Sequence, residues 1–247
     1  MALRHHGGTA LSSLVRLLPR RLRFRAALRL AAAAAPLLRN HPIVRARLAM
    51  RVETAREIVT YHLLDILTRH GVAFDPLWRA EGLECCEAAL ASGRGVLFVG
   101  PHTMLSTVAL RPLRELGREL AVVATGDVPI PGTPDTARAI VPSFTYFLEV
   151  RRLLMANGIL VAMIDRAEVN GRTSVEVATA QGPVIIADAL IRLAVRTETA
   201  VMFIAARLSG GEIVMKYAAA GASTVEGIAA AFMEFLRGHV AAVAGER

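Results

Sequence analysis

The stretch Gly95-Val96-Leu97-Phe98-Val99-Gly100-Pro101-His102-Thr103 decides the fold class. Four apolar residues run without interruption between two glycines, with no polar position to turn toward water. A strand with one solvated face alternates apolar and polar residues, so an unbroken run of this length marks a strand buried on both faces. Pro101 ends it, because proline has no N–H to give to a ladder. Outward from this run the same signal recurs in Leu120-Ala121-Val122-Val123-Ala124 and in Ile159-Leu160-Val161-Ala162-Met163-Ile164, the latter after the breaker Asn157-Gly158. Helical patterns separate the runs at about 81–91, 105–116 and 146–156. Further on, 174–178 reads as an edge strand and 185–196 as a helix. Residues 201–206 and 212–217 read as a hairpin around Ser209-Gly210-Gly211, and 225–243 as a final helix. Alternating strands and helices predict an α/β fold with a central, mostly parallel sheet flanked by helices. In such sheets ligands bind beyond the carboxyl ends of the strands.

Upstream the pattern differs. Residues 11–38 and 43–70 read as two long helices, separated by Asn40-His41-Pro42 and closed by Gly71, with a helical stop expected near Pro36. The division expected is therefore a basic helical region over 1–72 and an α/β domain over 73–247. The formal charge of +8 is concentrated at this end: eleven arginines lie between Arg4 and Arg51, and Glu53 is the first carboxylate. These arginines alternate with Leu11, Leu14, Val15, Leu18, Leu22 and Ala26, the pattern of an amphipathic segment lying in an anionic lipid interface. The competing reading is a basic helix that packs on the domain. Nucleic acid is not expected as a partner, since Phe24 alone would supply stacking. The longest apolar run, Leu30 to Leu38, is broken by Pro36 and is far short of the roughly 20 residues that span a bilayer. A cleavable signal peptide also fits poorly, because arginines continue past that run. The two cysteines, Cys85 and Cys86, are adjacent, which argues against a disulfide and predicts a reduced pair buried on a helix.

The chemistry-bearing motifs are few. No glycine-rich nucleotide loop, Walker lysine or Gly-x-Ser-x-Gly elbow occurs, and Lys216 is the single lysine. The seven histidines are scattered, so neither a metal site nor a cofactor is expected. The leading candidate is His102, in the turn after the first buried strand, where an imidazole can take a proton from an acceptor hydroxyl or amine. Asp165 with Arg166 and Glu168 forms a second candidate at the end of the Ile159–Ile164 run, suited to holding a phosphate or sugar. Arg192 and Arg196 are expected to solvate a helix face. The 126–134 loop, with its prolines and glycines, is expected to form a rigid lip.

Three blocks in order carry a resemblance. They are Trp78 to Glu84 with Ala88 to His102, then Ala156 to Asp165, then Leu190 to Val201. Together they resemble the lipid A biosynthesis acyltransferases (lauroyl and myristoyl transferases) of the lysophospholipid acyltransferase superfamily, over about residues 18–217. The resemblance implies acyl transfer from acyl carrier protein or acyl-CoA to a hydroxyl or amine. It also implies a peripheral position on the cytoplasmic face of a bacterial inner membrane. It assigns His102 as general base and makes Asp165 an orienting group. Thr103, Ser106, Thr107 and Arg166 become substrate contacts, and a hydrophobic cleft between the N-terminal helices and the sheet would hold the acyl chain. That family pairs its histidine with a carboxylate five residues on, and this chain has Thr107 there. Three readings follow: His102 acts alone or with Asp165 or Asp127; the scaffold only binds lipid or an acyl carrier; or the same cleft runs a different acyl reaction.

Overall fold

In the computed structural model the described residues are 3–48, 53–131, 135–164, 174–177 and 184–245. The chain opens with four helices: α1 (Leu3–Arg16), α2 (Arg20–Leu38), α3 (Pro42–Leu48) and α4 (Ala55–Arg69). Where two long helices were expected, the first is split before Arg20 because Pro19, lacking an N–H, suits only a helix start. Pro36 lies inside the last turns of α2 without stopping it. The second long helix is also divided. α4 begins anew at a reciprocal capping box, in which the Thr54 hydroxyl accepts from the Glu57 amide and the Glu57 carboxylate accepts from the Thr54 amide.

The remaining elements are β1 (Trp78–Glu81), α5 (Leu83–Ala91), β2 (Val96–Gly100), a 3₁₀ turn (Met104–Thr107), α6 (Leu110–Glu115), β3 (Leu120–Val123), β4 (Val128–Pro129), β5 (Thr136–Ile140) and α7 (Tyr146–Met155). They continue with β6 (Ile159–Met163), β7 (Ser174–Val177), β8 (Val184–Ala187), α8 (Ala189–Arg196), β9 (Ala200–Ser209), β10 (Glu212–Ala219) and α9 (Val225–Gly245). The main sheet has the order β1-β10-β9-β2-β6-β3-β5-β4. Strands β9, β2, β6, β3 and β5 are parallel; β10 runs antiparallel to β9 and parallel to the edge strand β1, and β4 runs antiparallel to β5. The fold is therefore α/β, with a mostly parallel central sheet flanked by helices.

Three local readings need correction. The helix expected over 105–116 is a 3₁₀ turn followed by α6. Residues 185–187 are strand, and they pair with Ser174–Val177 in a separate two-stranded sheet, so 174–177 is not an edge of the main one. Cys86 is buried, its thiol pushed up to about 12 by desolvation, but Cys85 is exposed; both are free.

Successive residues of β2 face opposite cores, as a pleated strand requires. Val96 and Phe98 join a cluster with Phe24 and Leu28 of α2 and Leu64 of α4, whereas Leu97 and Val99 join Val150 of α7, Ile191 of α8 and Phe232 of α9. Each fully buried Phe or Leu contributes roughly 1.5–3 kcal/mol by leaving water. The arginine-rich helices are thus part of one hydrophobic core: α2 packs on α4 through Phe24, Ala27, Leu28, Ala31 and Ala35. Leu14, Leu17, Leu30 and Leu37 remain exposed beside the arginines. No helix among the described residues is long and apolar enough to cross a membrane.

Gly100 closes β2 where no side chain fits. A methyl group there would lie 2.4 Å from the Ile204 carbonyl oxygen on β9. Gly100→Ala should therefore destabilise the protein by about 1–3 kcal/mol, because backbone cannot yield as a side chain can. A shift in the denaturant midpoint at unchanged slope would register this, and an unchanged midpoint would refute it.

Candidate functional site

β2 is the strand that sets the site. It lies between β9 and β6, both parallel to it, and ends at Gly100, so Pro101, His102 and Thr103 emerge at the carboxyl edge of the parallel strands. Pro101 and Thr103 are buried and His102 is half-buried. The turn is knit by its own backbone, the Thr103 amide donating to the Pro101 carbonyl at 2.7 Å and the Ser106 amide to the Thr103 carbonyl at 3.2 Å. The hydroxyls of Thr103 and Ser106 share a hydrogen bond, which holds both side chains on the inner side of the 3₁₀ turn.

His102, Thr103, Ser106 and Thr107 together line a cleft of about 200 Å³. Its far walls are apolar, from Leu110 of α6, Val122 of β3, Val128 of β4 and Met163 of β6. Two further polar residues reach it from the N-terminal helices: Arg47 of α3 and Tyr61 of α4. The Arg47 guanidinium donates to the His102 carbonyl oxygen. Its Nη2 and Nε also donate to Glu53 Oε2, at 2.8 and 3.2 Å. Glu53 is 2% exposed, so a buried carboxylate balances the cation. Charge-assisted bonds of this kind are stronger than neutral ones, and this one anchors the histidine turn by its backbone, while His102 itself lines the cleft. Burial, and next the neighbouring Asp65, raise the Tyr61 hydroxyl above its ordinary pKa, so Tyr61 is a neutral phenol near pH 7.

The sequence reading did not single out Arg47 or Tyr61. Arg47 was one arginine among eleven; the signal that set it apart was Glu53, the first carboxylate after the basic run.

Asp165, Arg166 and Glu168 lie outside the described residues. Asp127, weighed as a substitute carboxylate, is exposed, and its Oδ1 accepts the Ala139 amide at 2.9 Å, holding the loop before β4 to β5. Arg192 does more than solvate a helix face: it pairs at 2.7 Å with Asp188, which is fully buried at the start of α8.

Two larger cavities open nearby. β9 runs on well past the end of β2, and its overhanging turn with β10, together with α2 and α4, encloses a cleft of about 520 Å³. That cleft lies between the N-terminal helices and the sheet, with Arg39 and Arg56 in its wall, and His102 does not line it. On the other face of the sheet, α7 and the residues after β5 cover a slot of about 300 Å³, walled by Val123, Tyr146, Phe147, Ile164 and Leu190. Met163 lines both this slot and the His102 cleft. A comparison of the sequence with protein-family models and with curated proteins gives no match to either.

Proposed function

We propose that the chain is an acyltransferase working at a membrane surface. It would move a fatty acyl group from acyl carrier protein or acyl-CoA to a hydroxyl or amine, with His102 as general base. The observation that carries this reading is the half-buried imidazole at the end of β2, facing a cleft whose rim is polar and whose walls are apolar. An imidazole so placed takes the proton from the acceptor as its oxygen or nitrogen attacks the thioester carbonyl. The Arg47 guanidinium and the neutral Tyr61 phenol are donors on the same rim, suited to the oxyanion that forms on that attack and collapses as the thiolate leaves, taking the proton back from the imidazolium. The likeness of three sequence blocks to the lipid A acyltransferases points the same way. The exposed leucines and arginines of α1 and α2 suit contact with an anionic inner-membrane face, and the arginines suit an acidic carrier protein.

The experiment is turnover of acyl-carrier-protein and acyl-CoA thioesters by the purified chain, with hydroxyl and amine acceptors supplied in vesicles. Acylated acceptor supports the proposal. A chain that retains acyl ligand yet leaves every thioester intact is a lipid-binding protein instead, a reading favoured by Thr107. That residue lines the cleft but brings no negative charge to stabilise an imidazolium. Thr107→Glu should accordingly raise kcat by about tenfold or more, since preorganised charge beside the base is worth several kcal/mol in such sites. Equal rates for the two forms would show that the missing carboxylate is not what limits the reaction.

A further inference from the structure

We infer that residues 141–145 and the outer face of α7 form a docking element for an anionic lipid bilayer. The observation is a concentration of large apolar side chains in water: Phe144 is 105% exposed, Leu148 56%, Phe147 47% and Val141 46%, with Met155 further along at 60%. Scattered exposed leucines need no explanation, but two phenylalanines and a leucine within five residues form a patch. Phe144 is held outward by an ordered turn. The Tyr146 amide donates to the Ser143 carbonyl at 3.3 Å, and the Thr145 hydroxyl donates to Glu149 at 3.0 Å. The helix that follows buries Tyr146, Val150, Leu153 and Leu154 against the core and leaves Phe147, Leu148, Arg151, Arg152 and Met155 outside.

Charge selects the occupant. Arg151 and Arg152 lie one turn beyond Phe147 and Leu148, and no ion pair among the described residues uses either. The one carboxylate of the helix, Glu149, is engaged by Thr145. Two copies of this face pressed together would oppose four guanidinium groups, whereas a bilayer offers hydrocarbon to the phenyl rings and phosphate to the arginines at adjacent depths. The patch also follows β5 at the carboxyl edge of the sheet and covers the slot of about 300 Å³ that reaches Met163. Docking through it turns the His102 end of the sheet toward the membrane. The inference goes beyond acyl transfer and is read by binding alone.

The test is flotation of the full chain with vesicles of equal parts phosphatidylglycerol and phosphatidylcholine, against pure phosphatidylcholine. The wild type should float with the anionic vesicles. Phe144→Ser/Phe147→Ser/Leu148→Ser should lower partitioning about tenfold or more, with the melting temperature lowered by no more than a few degrees, since of the three only Phe147 also packs on the core, edge-on against Tyr146. Arg151→Gln/Arg152→Gln should weaken binding several-fold and reduce its dependence on phosphatidylglycerol. In a Phe144→Trp chain, brominated phosphatidylglycerol should quench the added fluorescence beyond the Trp78 background. Since the basic helices α1 and α2 are intact in all these variants, unchanged flotation of the triple variant assigns any membrane contact to them and overturns the inference. A wild-type dimer that the triple variant dissociates, with no change in vesicle binding, also overturns it in favour of a second copy.

Discussion

His102→Ala should lower acyl transfer by about 10²–10⁴-fold, the contribution of a positioned general base, and leave the fold nearly as stable as before. The reason lies in how the residue is held. Its fixed contact with the N-terminal helices runs from Arg47 to its backbone carbonyl, which alanine retains. The Thr103–Ser106 hydroxyl pair and the amide bonds of the turn do not involve the imidazole either. The substitution therefore removes the proton acceptor and keeps these bonds of the turn. The expected signature is a fall in kcat with little change in KM, since the acyl chain and carrier are bound by other groups. A melting temperature within a degree or two of the wild type separates lost chemistry from lost folding. If His102→Ala and the wild type turn over thioester at the same rate, His102 is not the base. The same assay on Arg47→Lys asks a different question, because a lysine can hold one of Arg47's two partners but not both in the fork geometry. A lower kcat there, with His102 intact, shows that the rim depends on Arg47 in its fork geometry, as anchor of the turn or as oxyanion donor.

Sequence pattern exposed some of this arrangement and concealed the rest, for physical reasons. β2, β3, β6 and the first part of β9 were legible because strands buried on both faces must be apolar at every position. β5 was not: Thr136-Ala137-Arg138-Ala139-Ile140 sits near the sheet edge, exposes alternate residues, and carries an arginine paired with Glu119 at 2.9 Å. β1 was hidden in the same way, since Trp78-Arg79-Ala80-Glu81 is only partly covered and owes its form to pairing with β10. The position of His102 followed from β2 alone, and so did the neighbours in its turn. Arg47 and Tyr61 did not, because they come from helices brought to the cleft by tertiary packing, and pairing of Arg47 with His102 spans 55 residues. The basic N-terminal stretch was read from charge pattern as a lipid-facing helix. Its buried face, Phe24, Ala27, Leu28, Ala31 and Ala35, is mostly alanine, a residue that marks close helix packing but contributes little to a hydrophobic pattern.

Glu57→Ala should be strongly destabilising although Glu57 lies away from the cleft. Glu57 is 3% exposed, yet both carboxylate oxygens are engaged. One accepts from the Thr54 amide at 2.7 Å and the Thr54 hydroxyl at 3.0 Å, closing the capping box of α4. The other accepts from the Leu208 amide at 2.8 Å, near the end of the overhanging strand β9. The side chain therefore ties the start of a helix to the tip of a strand that lies far away in sequence. Alanine removes the capping interaction, which is worth about 0.5–2 kcal/mol. It also strands the buried Leu208 N–H, at about 1–3 kcal/mol, and deletes a negative charge from the positive end of the α4 dipole. The two main effects together come to roughly 2–5 kcal/mol, a loss of about 5–15 °C in Tm for a chain of this length. Glu57→Gln should fall between, because its one oxygen satisfies either Leu208 or Thr54 while its NH₂ group opposes the other donor. Because Glu53 and Thr54 immediately precede α4, fraying at this end also loosens the Glu53–Arg47 pair that anchors the His102 turn. Glu57→Ala assayed well below its Tm should thus lose activity out of proportion to the unfolded fraction. A Tm within about one degree of the wild type would mean that α4 and β9 are held together by apolar packing alone.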